Sequence, residues 1–140
     1  PNASPRKTSR PTDLDDAQLL RYSRHVLLDE WGVEAQRRVA AAHAVVIGAG
    51  GLGSPALLYL ASAGVGRITV VDHDRVDLTN LQRQVLHGEA DVERPKVDSA
   101  VEALRRQGDG TTLVGIRRRV EPQFAFIEAT CGPEFARHIR

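Results

Sequence analysis

The chain has 140 residues, 41% of them hydrophobic and 26% charged, with a formal net charge of +1. That length argues for one domain able to bury a core, while the small charge gives no overall basic surface for nucleic acid. One cysteine, Cys131, excludes an internal disulfide and a Cys-rich zinc site. No apolar run approaches the ~18 residues of a membrane span, and the N-terminus lacks the apolar core of a signal peptide. A cytoplasmic location is therefore expected. Arg117, Arg118 and Arg119, with Arg105 and Arg106 upstream, read as a solvated basic run, because no aromatics interleave to stack on bases.

Residues 1–12 are rich in Pro, Ser and basic residues and are expected to form a disordered tail. Thr12 or Asp13 is placed to cap a helix beginning near Leu14. Leu19, Leu20, Val26, Leu27 and Leu28 give that region an irregular apolar face, and Trp31-Gly32 reads as a turn before a second helix over about 32–42. His43 to Ile47 is a short apolar run ending in glycines, which predicts a strand buried on both faces of a parallel sheet. Ser54 to Ala63 reads as a helix with Pro55 in its first turn, ended by Gly64 and Gly66. Arg67 to Val71 is a second buried strand finishing at Asp72, completing a βαβ unit whose crossover should be right-handed. Residues 77–88 read as a short helix plus loop. Pro95 marks another helix start, Val97, Ala100, Val101 and Leu104 recur at helical spacing, and Gly108 ends that helix. A third strand is expected over 111–120. Beyond Glu121 only Phe124, Phe126 and Ile127 stand out. The expected fold class is α/β: a Rossmann-like parallel sheet with flanking helices.

Gly48, Gly50 and Gly53 form G-x-G-x-x-G directly between a strand and a helix. The first glycine permits the tight turn, the second lets backbone approach phosphate oxygens, and the third allows close helix–strand packing. The helix mouth offers free N–H groups and about half a positive charge to an anion. A turn of this kind can also simply reverse the chain. Asp72, at the tip of the second strand, lies close to the ~20 residues beyond the turn expected of a ribose-binding acid. Asp72 or Asp74 capping the next segment is the alternative. Asn80, Gln82, Arg83 and Lys96 follow. Asn80 and Arg83 would share a helix face beyond the carboxyl ends of the strands, where open α/β sheets bind ligands. Two cations and an amide beside a triphosphate suit displacement at an α-phosphate, which depends on positioning and charge neutralisation. A solvated polar loop fits the same residues. None of the histidines, His25, His43, His73, His87 and His138, has a ligand spacing, and no metal ligand is assigned.

Three runs carry a resemblance: RYSRHVLL (Arg21 to Leu28), GAGGLGSPALLYLASAGVGRITVVDHDRVDLTNLQRQ (Gly48 to Gln84) and RPKVDSA (Arg94 to Ala100). Together they resemble the molybdopterin-synthase and thiamine-biosynthesis adenylyltransferases, relatives of the ubiquitin-activating enzymes. NLQRQ at this distance from the glycine turn, followed by PK, is the specific part. The resemblance implies ATP and magnesium as cofactors. It implies a ubiquitin-like sulfur-carrier protein with a C-terminal Gly-Gly as partner, adenylylated with release of pyrophosphate. It further implies that Gly51, with the turn glycines, touches the phosphates, that Asp72 holds the ribose, and that Thr79, Asn80, Leu81, Gln82 and Arg83 form the nucleotide-contacting segment. Asn80, Arg83 and Lys96 would hold and neutralise the triphosphate, and Arg24 would reach the ATP of the neighbouring subunit in a homodimer. Residues 13–120 are then expected to be a partial adenylation domain, truncated relative to the family, with 121–140 of uncertain structure. The family's later magnesium-binding aspartate and its CxxC pairs find no match, and the flanks of Cys131 do not match the family's thiol-active cysteine. A nicotinamide-dependent oxidoreductase explains the chain only as far as Asp72. A non-catalytic nucleotide-binding remnant or scaffold module accommodates the missing aspartate.

Overall fold

The computed structural model describes residues 13–120. The expected tail 1–12, the segment 121–140 with Phe124, Phe126 and Ile127, Cys131 and His138 lie outside the described residues. In chain order the elements are α1 (Asp16–Arg21), α2 (Ser23–Val26), α3 (Gly32–Ala41), β1 (His43–Ile47), α4 (Gly53–Ser62), β2 (Arg67–Asp72), α5 (Lys96–Arg105) and β3 (Thr112–Arg117). Short 3₁₀ turns at Leu78–Asn80 and Glu89–Asp91 lie between β2 and α5.

The three strands form one parallel sheet in the order β1-β2-β3. His43 pairs with Arg67 and Ile47 with Val71, while Arg67 pairs on its other side with Thr112. β1–α4–β2 and β2–α5–β3 are thus consecutive βαβ units. The central strand carries the core: Ile68, Val70 and Val71 have no exposed surface, and Leu57 of α4 with Ala100 and Leu104 of α5 cluster with Ile68 and Val70. Burial of each large aliphatic side chain contributes about 1.5–3 kcal/mol, and the scarcity of aromatics makes branched aliphatics do this work.

Three expectations need correction. β1 is not buried on both faces: among the described residues only β2 pairs with it, and His43 and Ile47 are exposed with the residues between them half-buried. The first helix is capped by Asp15 rather than Thr12 or Asp13. Asp15 accepts from the Gln18 N–H while Gln18 Oε1 accepts from the Asp15 N–H, a reciprocal box. β3 stops at Arg117, where side chains turn from alternating to uniformly charged.

The helical N-terminal part is tied to the edge where the strands begin. Gln36 of α3 is fully buried; its amide donates to the Ala63 carbonyl at 2.8 Å and its oxygen accepts from Trp31 Nε1 at 3.1 Å. Arg21 donates to the Gln107 carbonyl just before β3. Among the described residues no helix is long and apolar enough to cross a membrane.

Candidate active site

The site grows from the turn after β1. Gly48 takes φ +97°, a left-handed conformation open to glycine, and its N–H donates to the Val71 carbonyl at 2.7 Å. Gly53 lies so close to Gly48 that a Cβ on it would stand 1.8 Å from the Gly48 oxygen. Both glycines therefore have the steric reasons the sequence suggests. Ala49 between them is fully buried and both its backbone groups are held: its N–H donates to Asp72 Oδ2 at 2.8 Å, and its carbonyl accepts from His87 Nε2 at 2.8 Å and from the Ser54 hydroxyl at 3.3 Å. The N–H groups of Gly50 and Gly51 find no partner among the described residues, and α4 starts at Gly53 with no side-chain cap. Unpaired amides at the mouth of a ten-residue helix are a receptive place for an anion.

Asp72 is nine-tenths buried and fully engaged. Its second oxygen accepts from the Asp74 N–H at 2.8 Å. One carboxylate thus fastens the glycine turn to the end of β2, so the capping role weighed from sequence is realised. Lys96 begins α5, its N–H donating to the Asp74 carbonyl at 2.9 Å. Its side chain is 7% exposed, and its ammonium lies 3.7 Å from the Asp74 carboxylate. A cation at the positive end of a helix is disfavoured, and Asp74 offsets it. Asp77 is held below the usual carboxylate range, first by the hydroxyl and then by the N–H of Thr79, and more weakly by Lys96. The Thr79 side chain is accordingly occupied as part of the Asp77 cap.

Asn80 and Arg83 are brought together as the spacing suggests, Arg83 donating to Asn80 Oδ1 at 2.8 Å. Arg83 is exposed, and its aliphatic stem lies over Gly51, where a Cβ would meet Cδ at 3.6 Å. The missing Gly51 side chain leaves room that the arginine and a bound group could share. Leu81 is half-buried and Gln82 exposed. Gln84 received no role from the sequence. It is buried beside Gly50, 3.6 Å from a built Cβ, and its Oε1 is buried without a partner among the described residues. Arg24 stands apart from this group. It is exposed on α2, whose neighbour Tyr22 packs on Gly64 and whose His25 faces Gln36, on the side where strands begin.

A cavity of about 290 Å³ opens where the strands end, lined by Gly48, Asp72, His73, Asp74 and residues 118–120. A larger one, about 420 Å³, lies at the opposite edge between α1 and residues 107–111, away from the glycine turn. Asp72, His73 and Asp74 bring one ligand atom each within 4.8 Å of one another, a grouping the sequence reading did not assign. Both Asp72 oxygens already accept N–H bonds, and His73 and Lys96 face Asp74. These residues do not make a dedicated magnesium cage, whereas the unpaired amides, with Arg83 lying over Gly51, suit a phosphate-bearing ligand.

A glycine turn at the carboxyl end of a parallel sheet, an acid at the tip of the adjacent strand and cations just beyond define a Rossmann-like domain with an anion-receptive mouth. The chain belongs to the ThiF family, whose model matches residues 22–132. Among curated relatives it is similar to the SAMP-activating enzyme E1 of Haloferax volcanii, 48% identical over 77% of this chain and 40% of that protein. It is also similar to the adenylyltransferase and sulfurtransferase MOCS3 of Mus musculus, 51% identical over 77% of this chain and 24% of that protein. Among solved structures, the E. coli tRNA N6-threonylcarbamoyladenosine dehydratase TcdA in complex with ATP superposes with a TM-score of 0.75 at 30% identity, covering 83% of this chain and 47% of that one. The chain thus spans less than half the length of these relatives.

Proposed function

We propose that this chain is the nucleotide-binding part of an ATP-dependent adenylyltransferase that activates the C-terminal glycine of a ubiquitin-like sulfur-carrier protein, of the molybdopterin or thiamine type. The observation that carries the reading is that the Gly50 and Gly51 amides, without a partner among the described residues, sit beneath the stem of Arg83. Relatives named adenylyltransferases and a SAMP-activating enzyme support it, as does a structural neighbour captured with ATP.

In this reading Gly48, Gly50, Gly51 and Gly53 form the phosphate turn. Asn80 and Arg83 grip the β- and γ-phosphates, and Lys96 exchanges Asp74 for a phosphate oxygen. Asp72 keeps the turn in place and faces the ribose, while residues 79–83 border the nucleotide. Magnesium accompanies ATP as the counter-ion of its phosphates, since such ions keep much of their water and lean on the substrate. The carrier's terminal carboxylate is already ionised at neutral pH, so no general base is required. One carboxylate oxygen bonds to the α-phosphorus as the bond to the bridging oxygen breaks, and pyrophosphate leaves with the electron pair. Arg83 and Lys96 offset the charge growing on it. Arg24, remote from the turn of its own chain, serves the site of a second copy in a homodimer.

The test is ATP–pyrophosphate exchange with a carrier ending in Gly-Gly. The wild-type chain should support exchange. Arg83→Ala should lower it by at least ~100-fold with an unchanged melting curve, because Arg83 is exposed and its one side-chain hydrogen bond is to Asn80. Exchange untouched by that substitution would remove Arg83 from the mechanism.

A further inference from the structure

The glycine turn has a mechanical weakness. Gly50 lets backbone approach a phosphate because it has no side chain, but the same freedom allows the Ala49–Gly50 peptide to rotate end over end. That peptide is planar and trans, so its C=O and N–H point in opposite directions. Whatever holds the Ala49 carbonyl inward therefore holds the Gly50 N–H outward. The principal holder is His87, whose Nε2 lies 2.8 Å from that carbonyl, with the Ser54 hydroxyl farther off at 3.3 Å. His87 is 6% exposed, and its Nδ1 sits 2.8 Å from the hydroxyl of Ser99, itself 1% exposed. Ser99 lies in the first turn of α5, the helix that Lys96 begins. The imidazole is thus a strut between the phosphate turn and the helix carrying the buried cation.

We infer that His87 is a positioning residue of the nucleotide site, aiming the Gly50 N–H at the phosphates by fixing the Ala49 carbonyl and holding the turn at a set distance from α5. This rests on the proposed ATP binding. A carbonyl oxygen can only accept, so Nε2 carries a hydrogen in every protonation state. In the neutral ring Nδ1 is then the acceptor and the Ser99 hydroxyl donates to it.

Calorimetric titration of the full chain with ATP and with adenosine tests the role. His87→Leu should weaken ATP binding by about 10-fold or more, the range for a hydrogen bond to a charged group, and change adenosine binding by no more than about 2-fold, since adenosine has no phosphate to receive the amide. His87→Gln, whose side-chain N–H can reach the same carbonyl, should restore most of the ATP affinity. Equal ATP affinity in wild type and His87→Leu overturns the inference, as does a loss shared equally by adenosine and left unrescued by glutamine. Wild type that does not bind ATP refutes the proposed function itself. Nitrogen-15 spectra of the wild-type ring need no variant: the neutral His87 should be the Nε2–H tautomer, and an Nδ1–H tautomer overturns the strut.

Discussion

Gly53→Ala sets two effects of opposite sign against each other. Gly53 opens α4, where alanine improves helix propensity by up to about 1 kcal/mol. The added methyl would stand 1.8 Å from the Gly48 oxygen and 2.8 Å from its carbon. Both are backbone atoms that cannot rotate aside, so the turn and α4 must separate by roughly 1.5 Å to reach ordinary contact. Overpacking of this kind costs about 1–3 kcal/mol, and a backbone clash belongs at the upper end. The net loss is then about 2 kcal/mol, a fall in melting temperature of roughly 7–9 °C for a domain of this size. Thermal unfolding followed by circular dichroism measures it, with Gly110→Ala as control because nothing lies within 4 Å of its built Cβ. A Gly53→Ala protein melting within about 2 °C of wild type would refute the claim that helix and strand touch through this glycine.

Asp72→Ala should destabilise the chain in the absence of any nucleotide, by about 2 kcal/mol, because the N–H groups of Ala49 and Asp74 lose a charged acceptor; urea unfolding that matches wild type would leave Asp72 a ligand contact only. Burial opposes ionisation of Asp91, but the Gly88 N–H and the Arg94 guanidinium outweigh it, and its carboxyl titrates below the ordinary range. The stability it contributes is complete above its unfolded pKa of about 3.9 and is lost as pH falls through the lower folded value. Asp91→Asn should therefore flatten the acid limb of stability against pH, and an unaltered limb contradicts the assignment. Partial desolvation of its ring, and then Arg67, lower the pKa of the largely exposed His43. Its contribution to stability should therefore fall away as pH drops below about 6.5, and His43→Gln should remove that part of the profile.

Sequence was most legible where chemistry is local. The run from His43 to Ile47 gave the observed limits of β1, because β-branched residues meet glycines there. Pro95 announced α5, which starts one residue later. The pairing of Asn80 with Arg83 followed from their spacing. What was illegible depends on partners distant in the chain. Nothing in the pattern of β1 says that its outer edge lacks a neighbour among the described residues. Nothing around His87 says that its ring meets a carbonyl 38 residues earlier. Thr12 and Asp13 stood out as caps for α1, and only the reply from Gln18 selects Asp15. The Asp72 carboxylate was visible as a strand-tip acid, but its double duty toward Ala49 and Asp74 appears only once the turn is folded.

Titration of the chain with ATP and, in parallel, with NAD tests the central claim most directly. The amides of Gly50 and Gly51, with Arg83 and Lys96 beside them, should retain ATP with magnesium at micromolar affinity, on the order of −8 kcal/mol, and should bind NAD far more weakly. Tight NAD binding together with no heat from ATP would contradict the account.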